Sequence, residues 1–158
     1  MRLRAAVRFY VPALVRIGIL FLTQVQVWWA IFELRGEAQW TFLGFMLILT
    51  LPTLLYLQTF LLLPDFDREE QIDLKAIYYE SRPWFFALFA LIPVASLVRE
   101  YVMAGFIAAD ADPLFRLGFL GLALLGLLSP RKRVHEALAP LMLISFVVYI
   151  ALLFLQLV

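Results

Sequence analysis

Five apolar runs, each close to the length of one bilayer crossing, constrain this chain more than anything else in it. They are "VPALVRIGILFLTQVQVWWAIFEL" (Val11 to Leu34), "WTFLGFMLILTLPTLLYLQTFLLL" (Trp40 to Leu63), "WFFALFALIPVASLV" from Trp84 and running on to Ala109, "PLFRLGFLGLALLGLLS" (Pro113 to Ser129) and "ALAPLMLISFVVYIALLFLQLV" (Ala137 to Val158). A hydrocarbon core about 30 Å thick takes about 20 helical residues to cross. Lipid offers no hydrogen bonds to a backbone, so only helices and closed barrels span it. Barrel strands would be about 10 residues long and alternating; these runs are neither. The sequence therefore predicts an all-α, polytopic transmembrane bundle of five spans, one domain over residues 1–158. Composition agrees, with 65% hydrophobic and 16% charged residues against about 45–50% and about 25% in a soluble domain. The basic N-terminus and the apolar stretch after it have the outline of a signal peptide. That stretch runs from Ile17 to Leu34 with no small-residue cleavage site behind it, so it reads as a retained helix.

Several function classes lack the residues they need. Net charge is +1, so no basic field invites nucleic acid. There is no cysteine, which removes disulfides, thiol nucleophiles and cysteine-ligated metals. His135 is the only histidine, too few ligands for a protein-only metal site; it reads as a headgroup or helix-start residue. "DFDREEQID" lacks the order and central glycine of a calcium loop and reads as a solvated loop. There is no phosphate-cradling glycine loop, no GxSxG and no Ser–His relay near mid-membrane. The expectation is a protein that is not an enzyme and carries neither metal nor cofactor.

Basic residues set the expected orientation. Arg2, Arg4 and Arg8, then Arg68, Lys75 and Arg82, then Arg131, Lys132 and Arg133 fall on one side; only Arg35 falls on the other. Nine against one places the N-terminus and the loops at 64–82 and 130–136 in the cytoplasm, with 35–39 outside. Tyr10, Tyr78, Tyr79 and Trp84 mark one interface and Trp28, Trp29 and Trp40 the other, as aromatic belts do. Arg131, Lys132 and Arg133 are expected to contact anionic lipid headgroups.

Three boxes, "VQVWWAIFELRGEAQWTFLGF" (Val25 to Phe45), "YYESRPWFFALFAL" (Tyr78 to Leu91) and "RVHEALA" (Arg133 to Ala139), together resemble a family of small bacterial inner-membrane helical proteins with no assigned activity. The resemblance covers most of the chain. It implies a bacterial inner-membrane location and no particular chemistry. Members of that family carry one more hydrophobic helix before the basic segment, which implies a six-span form with the same sidedness for the remaining loops.

Within "VASLVREYVMAG" (Val94 to Gly105) Arg99 and Glu100 stand side by side in apolar sequence. Ionisable residues inside a membrane are functional candidates by default. Two placements are open. In one, the pair marks the end of a 15-residue span and touches water or headgroups; in the other, it lies inside a longer helix, in the outer leaflet, with Ser96, Arg99, Glu100 and Met103 on one face. Glu33, Arg35, Asp110, Asp112 and Arg116 are expected at the same level, so these seven form the candidate binding cluster. Arg16, Thr23, Gln26 and Glu33 fall on one face of the first helix, and Ser145, Tyr149 and Gln156 align on the fifth, which suggests an interior that is not pure hydrocarbon. Arg99 is expected to face other helices and to pair with Glu33. Gly118, Gly121 and Gly126 suggest tight helix packing, and Pro52, Pro93 and Pro140 interrupt spans. Two functions fit: a non-catalytic membrane module that packs with itself or with partner membrane proteins, or a small ion or solute transporter with a polar site near the outer leaflet.

Overall fold

The computed structural model describes residues 6–33, 36, 41–62 and 71–153. In chain order the elements are β1 (Ala6–Arg8), α1 (Val11–Glu33), α2 (Phe42–Phe60), β2 (Gln71–Asp73), α3 (Leu74–Ala104), α4 (Ala111–Leu128) and α5 (Lys132–Leu153). All five helices are long and apolar enough to cross a membrane. Only 17–33% of each span's apolar window is buried inside the bundle. The outer faces carry large exposed side chains such as Phe21, Phe42, Phe60, Leu114 and Leu152, far more apolar surface than water tolerates on one monomer. This is an integral membrane helical bundle.

The helices form a ring in which each packs on its sequence neighbours, α5 closes onto α1, and α3 also touches α1 across the centre. One end of the ring carries His135 and the basic residues, the other carries Arg99. At the His135 end β1 and β2 make a two-stranded parallel ribbon, Val7 opposite Ile72. It ties the N-terminal segment to the start of α3.

The third span is longer at its start than the apolar run suggests. It begins at Leu74 rather than Trp84 and ends at Ala104 rather than Ala109. Asp73 caps the start, its carboxylate accepting from the backbone N–H groups of Lys75 and Ala76, which satisfies donors a helix start leaves orphaned. Tyr78, Ser81 and Phe85 then bury one face while Lys75 and Glu80 stay exposed. The expected loop at 64–82 is therefore helix from Leu74 on, and the part from 64 to 70 lies outside the described residues. Gly105 ends α3 in the left-handed region, φ 80°, its N–H donating to the Tyr101 carbonyl; a side chain there would be strained. The fifth span likewise starts early, at Lys132 rather than Ala137, so the expected loop at 130–136 is mostly its first turn.

The most extensive helix–helix contact is α3 on α4. A Cβ on Gly126 would sit 2.5 Å from the Phe86 ring. Gly118 and Gly121, expected to pack as tightly, have nothing within 4 Å of such an atom; they face the open side of α4. Arg82 of α3 completes the contact. Its guanidinium donates to the carbonyls of Gly126, Leu127 and Ser129 at 3.4, 3.2 and 2.7 Å, a cation on the orphan acceptors of a helix C-terminus.

Gly126→Ala should destabilise the bundle by about 1–3 kcal/mol, because a packed ring must move. Gly118→Ala should be neutral or stabilise by up to about 1 kcal/mol, the ordinary gain in helix propensity. Thermal unfolding of both variants in one detergent checks the contrast.

Candidate binding site

The inward face of α1 is the polar stripe: Arg16 and Thr23 are buried, and Gln26 is half-buried. Thr23 spends its hydroxyl hydrogen on the Ile19 carbonyl of its own helix, 2.8 Å away. Around this stripe the structure holds two polar centres with opposite characters.

The centre at the His135 end is closed. Arg16, 4% exposed, lies 3.7 Å above the Tyr78 ring and 4.2 Å from that of Phe85, the cation–π geometry. Its Nη atoms donate to Ser81 Oγ at 3.0 Å and the Tyr78 carbonyl at 3.4 Å; Nε has no partner. The space beside it is about 20 Å³, room for one water at most. His135 is fully buried. Its Nε2 lies 2.7 Å from the Ser129 carbonyl, which can only accept, so Nε2 carries a proton and Nδ1 of the neutral ring accepts from the Tyr78 hydroxyl at 2.9 Å. His135 does stand in a helix's first turn, but it braces α3 against α5 rather than meeting headgroups. Tyr10 and Tyr79 join their hydroxyls at 3.1 Å beside it; burial, then that bond, pushes the Tyr10 phenol well above its ordinary pKa. Gln58, also fully buried, donates from α2 to the Phe85 carbonyl at 3.1 Å. Each of these side chains is held by at least one contact, with Arg16 Nε and Gln58 Oε1 the buried atoms left without a partner, and there is no room for a solute, which marks a structural centre.

The centre at the Arg99 end surrounds a cavity of about 210 Å³. All five helices line it: α1 with Thr23 and Gln26, α2 with Leu51, α3 with Phe89, Pro93, Ser96 and Arg99, α4 with Asp112 and Arg116, and α5 with Phe146 and Tyr149. Its rim is an ion-pair cluster. Arg116 bridges Glu100 of α3, at 2.5 Å, and Asp112 one turn back on α4. The other carboxylate oxygens are also engaged: Glu100 accepts from the Ala108 N–H at 2.8 Å, and Asp112 from the Tyr149 hydroxyl at 2.8 Å. The side chains of these three charged residues are only 13–21% exposed. Gly105 makes this possible, since its left-handed turn lets the chain fold back so that Ala108 reaches Glu100.

Arg99 differs from Arg116. It is half-buried and lines the cavity, yet among the described residues its guanidinium has no ion pair or hydrogen bond. The helix continues five residues past it, so Arg99 and Glu100 lie within α3 rather than at its end. Ser96 and Gln26 likewise have no side-chain hydrogen bond among the described residues. Of the remaining residues expected in the cluster, Asp110 is exposed and caps α4, accepting from the Asp112 N–H at 3.0 Å. The Glu33 side chain and all of Arg35 lie outside the described residues, and with them the expected Arg99–Glu33 pair. Arg131, Lys132 and Arg133 are exposed around the start of α5, with Lys132 3.2 Å from Glu136. Among the described residues no group of three His, Asp or Glu side chains could hold a metal ion. Comparison with family models, curated proteins and solved structures finds no match.

Arg116→Met should destabilise the fold by about 3–5 kcal/mol, because two enclosed carboxylates lose their cation at once. Adding Glu100→Gln and Asp112→Asn should recover most of that loss. Lys132→Ala, at an exposed pair, should cost about 0–1 kcal/mol. Unfolding of the set in one detergent separates an enclosed ion-pair cluster from a solvated one.

Proposed function

We propose that the protein is a non-catalytic membrane module that binds a small solute in the cavity at the Arg99 end. The observation that carries this reading is the set of donors facing that cavity that make no close contact among the described residues: Arg99 in no ion pair, and Ser96 and Gln26 in no side-chain hydrogen bond. Polar side chains in a bundle interior are expensive unless paired, and at the other centre each of Arg16, Gln58 and His135 makes at least one hydrogen bond. A cavity walled by apolar residues with a few convergent polar groups is the ordinary form of a small-molecule site. At about 210 Å³ it falls below the about 300–1,000 Å³ of drug-sized sites, so the solute is small or slender. The buried Pro93 on its wall fits a transporter as well as a receptor, because kinks accompany transport sites.

Self-association is the second reading. Gly118, whose side of α4 is open, lines an apolar groove of about 370 Å³ between α4 and α5 with Phe115, Leu141 and Ser145. Small residues allow helices from two chains to approach closely in lipid.

One native mass spectrum of the gently solubilised protein tests both readings. Binding predicts one adduct per chain that Ser96→Trp abolishes; a bare chain throughout overturns it. Self-association predicts a dimer that Gly118→Leu disperses.

The module belongs, on this reading, in a bacterial inner membrane with the His135 end in the cytoplasm. Its support is the nine-to-one basic count and the resemblance of the three boxes. Single cysteines are clean probes in a chain that has none. An impermeant thiol reagent added to intact cells should label a cysteine at position 38 and spare one at 71. The reverse pattern overturns the orientation.

A further inference from the structure

The charges and shape of the cavity narrow what it can hold. This inference rests on the solute-binding reading above. The sign of the solute follows from which groups are spent. Both oxygens of Glu100 and both of Asp112 already accept, from Ala108, Arg116 and Tyr149. Among the described residues, a cation entering the cavity would compete with Arg116, Tyr149 and the Ala108 N–H for those oxygens. An acceptor meets Arg99, whose planar fork of N–H donors matches a carboxylate in two parallel bonds, with the Ser96 hydroxyl one helical turn away on α3. The two carboxylates close by also limit the charge. A dianion would face both across a low-dielectric space, where like charges repel strongly; a monoanion exchanges its water for Arg99 with the smaller repulsion.

Shape gives the rest. Along α3 the lining runs from Phe89 to Arg99, ten residues, or about 15 Å of helix axis. On α1 the lining likewise runs from Thr23 to Ala30, so the cavity's walls extend along the helix axes as a slot between them. Away from the charged rim its walls are mostly apolar, Val27, Leu51, Phe89, Ile92, Phe119 and Phe146, with Thr23 and Gln26 of α1 among them and no further charge. A slot with one cation outside the ion pairs at its mouth and mainly apolar walls matches a linear molecule with one charged end.

We infer that the cavity binds a monocarboxylate with a single unbranched alkyl chain, its carboxylate on Arg99 and its chain between α1, α3 and α5. Such a molecule can come from two sources: a free short-chain carboxylate in the aqueous phase, or a fatty acid drawn from the bilayer.

Photolabelling in nanodiscs tests this with an octanoate carrying a diazirine at its terminal carbon. Peptide mapping should place the label on the slot walls, at Val27, Phe89 or Phe146. Octanoate should displace it at a concentration about tenfold lower than octylammonium or octanol, the margin of one charge-assisted hydrogen-bonded pair. Arg99→Gln should remove that margin, while the wild-type displacement series stands independently of whether the variant folds. Palmitate competing as well as octanoate identifies the bilayer as the source, and octanoate alone the aqueous phase. Wall labelling displaced equally by all three octyl compounds overturns the carboxylate and leaves solute binding intact. Labelling confined to lipid-facing residues such as Leu114 overturns both.

Discussion

In hydrocarbon a polar atom has no water to fall back on, and that constraint organises this bundle from one end to the other. Most of the buried polar side chains at the His135 end are spent on a neighbouring helix, so these polar contacts record how the helices are joined. Arg16 joins α1 to α3 through Ser81 and the Tyr78 ring. Gln58 joins α2 to α3 through the Phe85 carbonyl. Arg82 joins α3 to the end of α4, and His135 joins α5 to both Tyr78 and Ser129. All of these ties meet on the first half of α3. Apolar packing then fills between them: Phe85, Phe86 and Phe89 with Ile19, Ala123, Leu138 and Met142 form the main core cluster. Packing alone drives helices together only weakly in lipid, since the tails are as apolar as the side chains. The polar ties supply the specificity that hydrophobic burial would supply in water.

The two ends of the ring answer the same constraint differently. At the His135 end the donors outnumber the free space, and almost every group is engaged. At the Arg99 end Arg116 satisfies two carboxylates, the Gly105 turn brings a third element to Glu100, and a cavity remains beside a cation that the cluster does not use. Enclosed pairs add little net stability against apolar packing, so the cluster is better understood as a frame. It holds α3, α4 and α5 at fixed separations, and the slot is what those separations leave.

Much of this was legible in the residues. The five spans, the inward face of α1 and the grouping of Glu100, Asp112 and Arg116 follow from run length, periodicity and the level at which each charge falls. The starts of α3 and α5 did not, because Lys75, Glu80 and Arg82, and later Lys132, Arg133 and Glu136, made short stretches look like solvated loop. Their second periodicity was present: Tyr78, Ser81 and Phe85, then His135, Leu138 and Met142, each mark a buried face at helical spacing. Treating those stretches as loop hid the partners of Arg16 and His135, which sit on them. The partner of Glu100 was hidden for another reason. The pairing depends on where the chain turns at Gly105, a three-dimensional consequence of one left-handed residue. The glycines of α4 look alike in sequence, yet only Gly126 meets a ring, because which face of α4 meets α3 is fixed by the whole ring of helices.

The placement of Pro93 follows from this division of labour. It is buried between the two polar centres, at a position where α3 loses the N–H that would otherwise bond the Phe89 carbonyl. Before it, α3 is held by Arg16, Gln58, Arg82 and His135; after it, by Arg116 acting through Glu100. Sharp bends in helices fall mostly at proline, and α3 carries two, Pro83 among the ties and Pro93 beyond them. The missing hydrogen bond thus falls between the packed half of α3 and the half that carries Arg99 and Glu100.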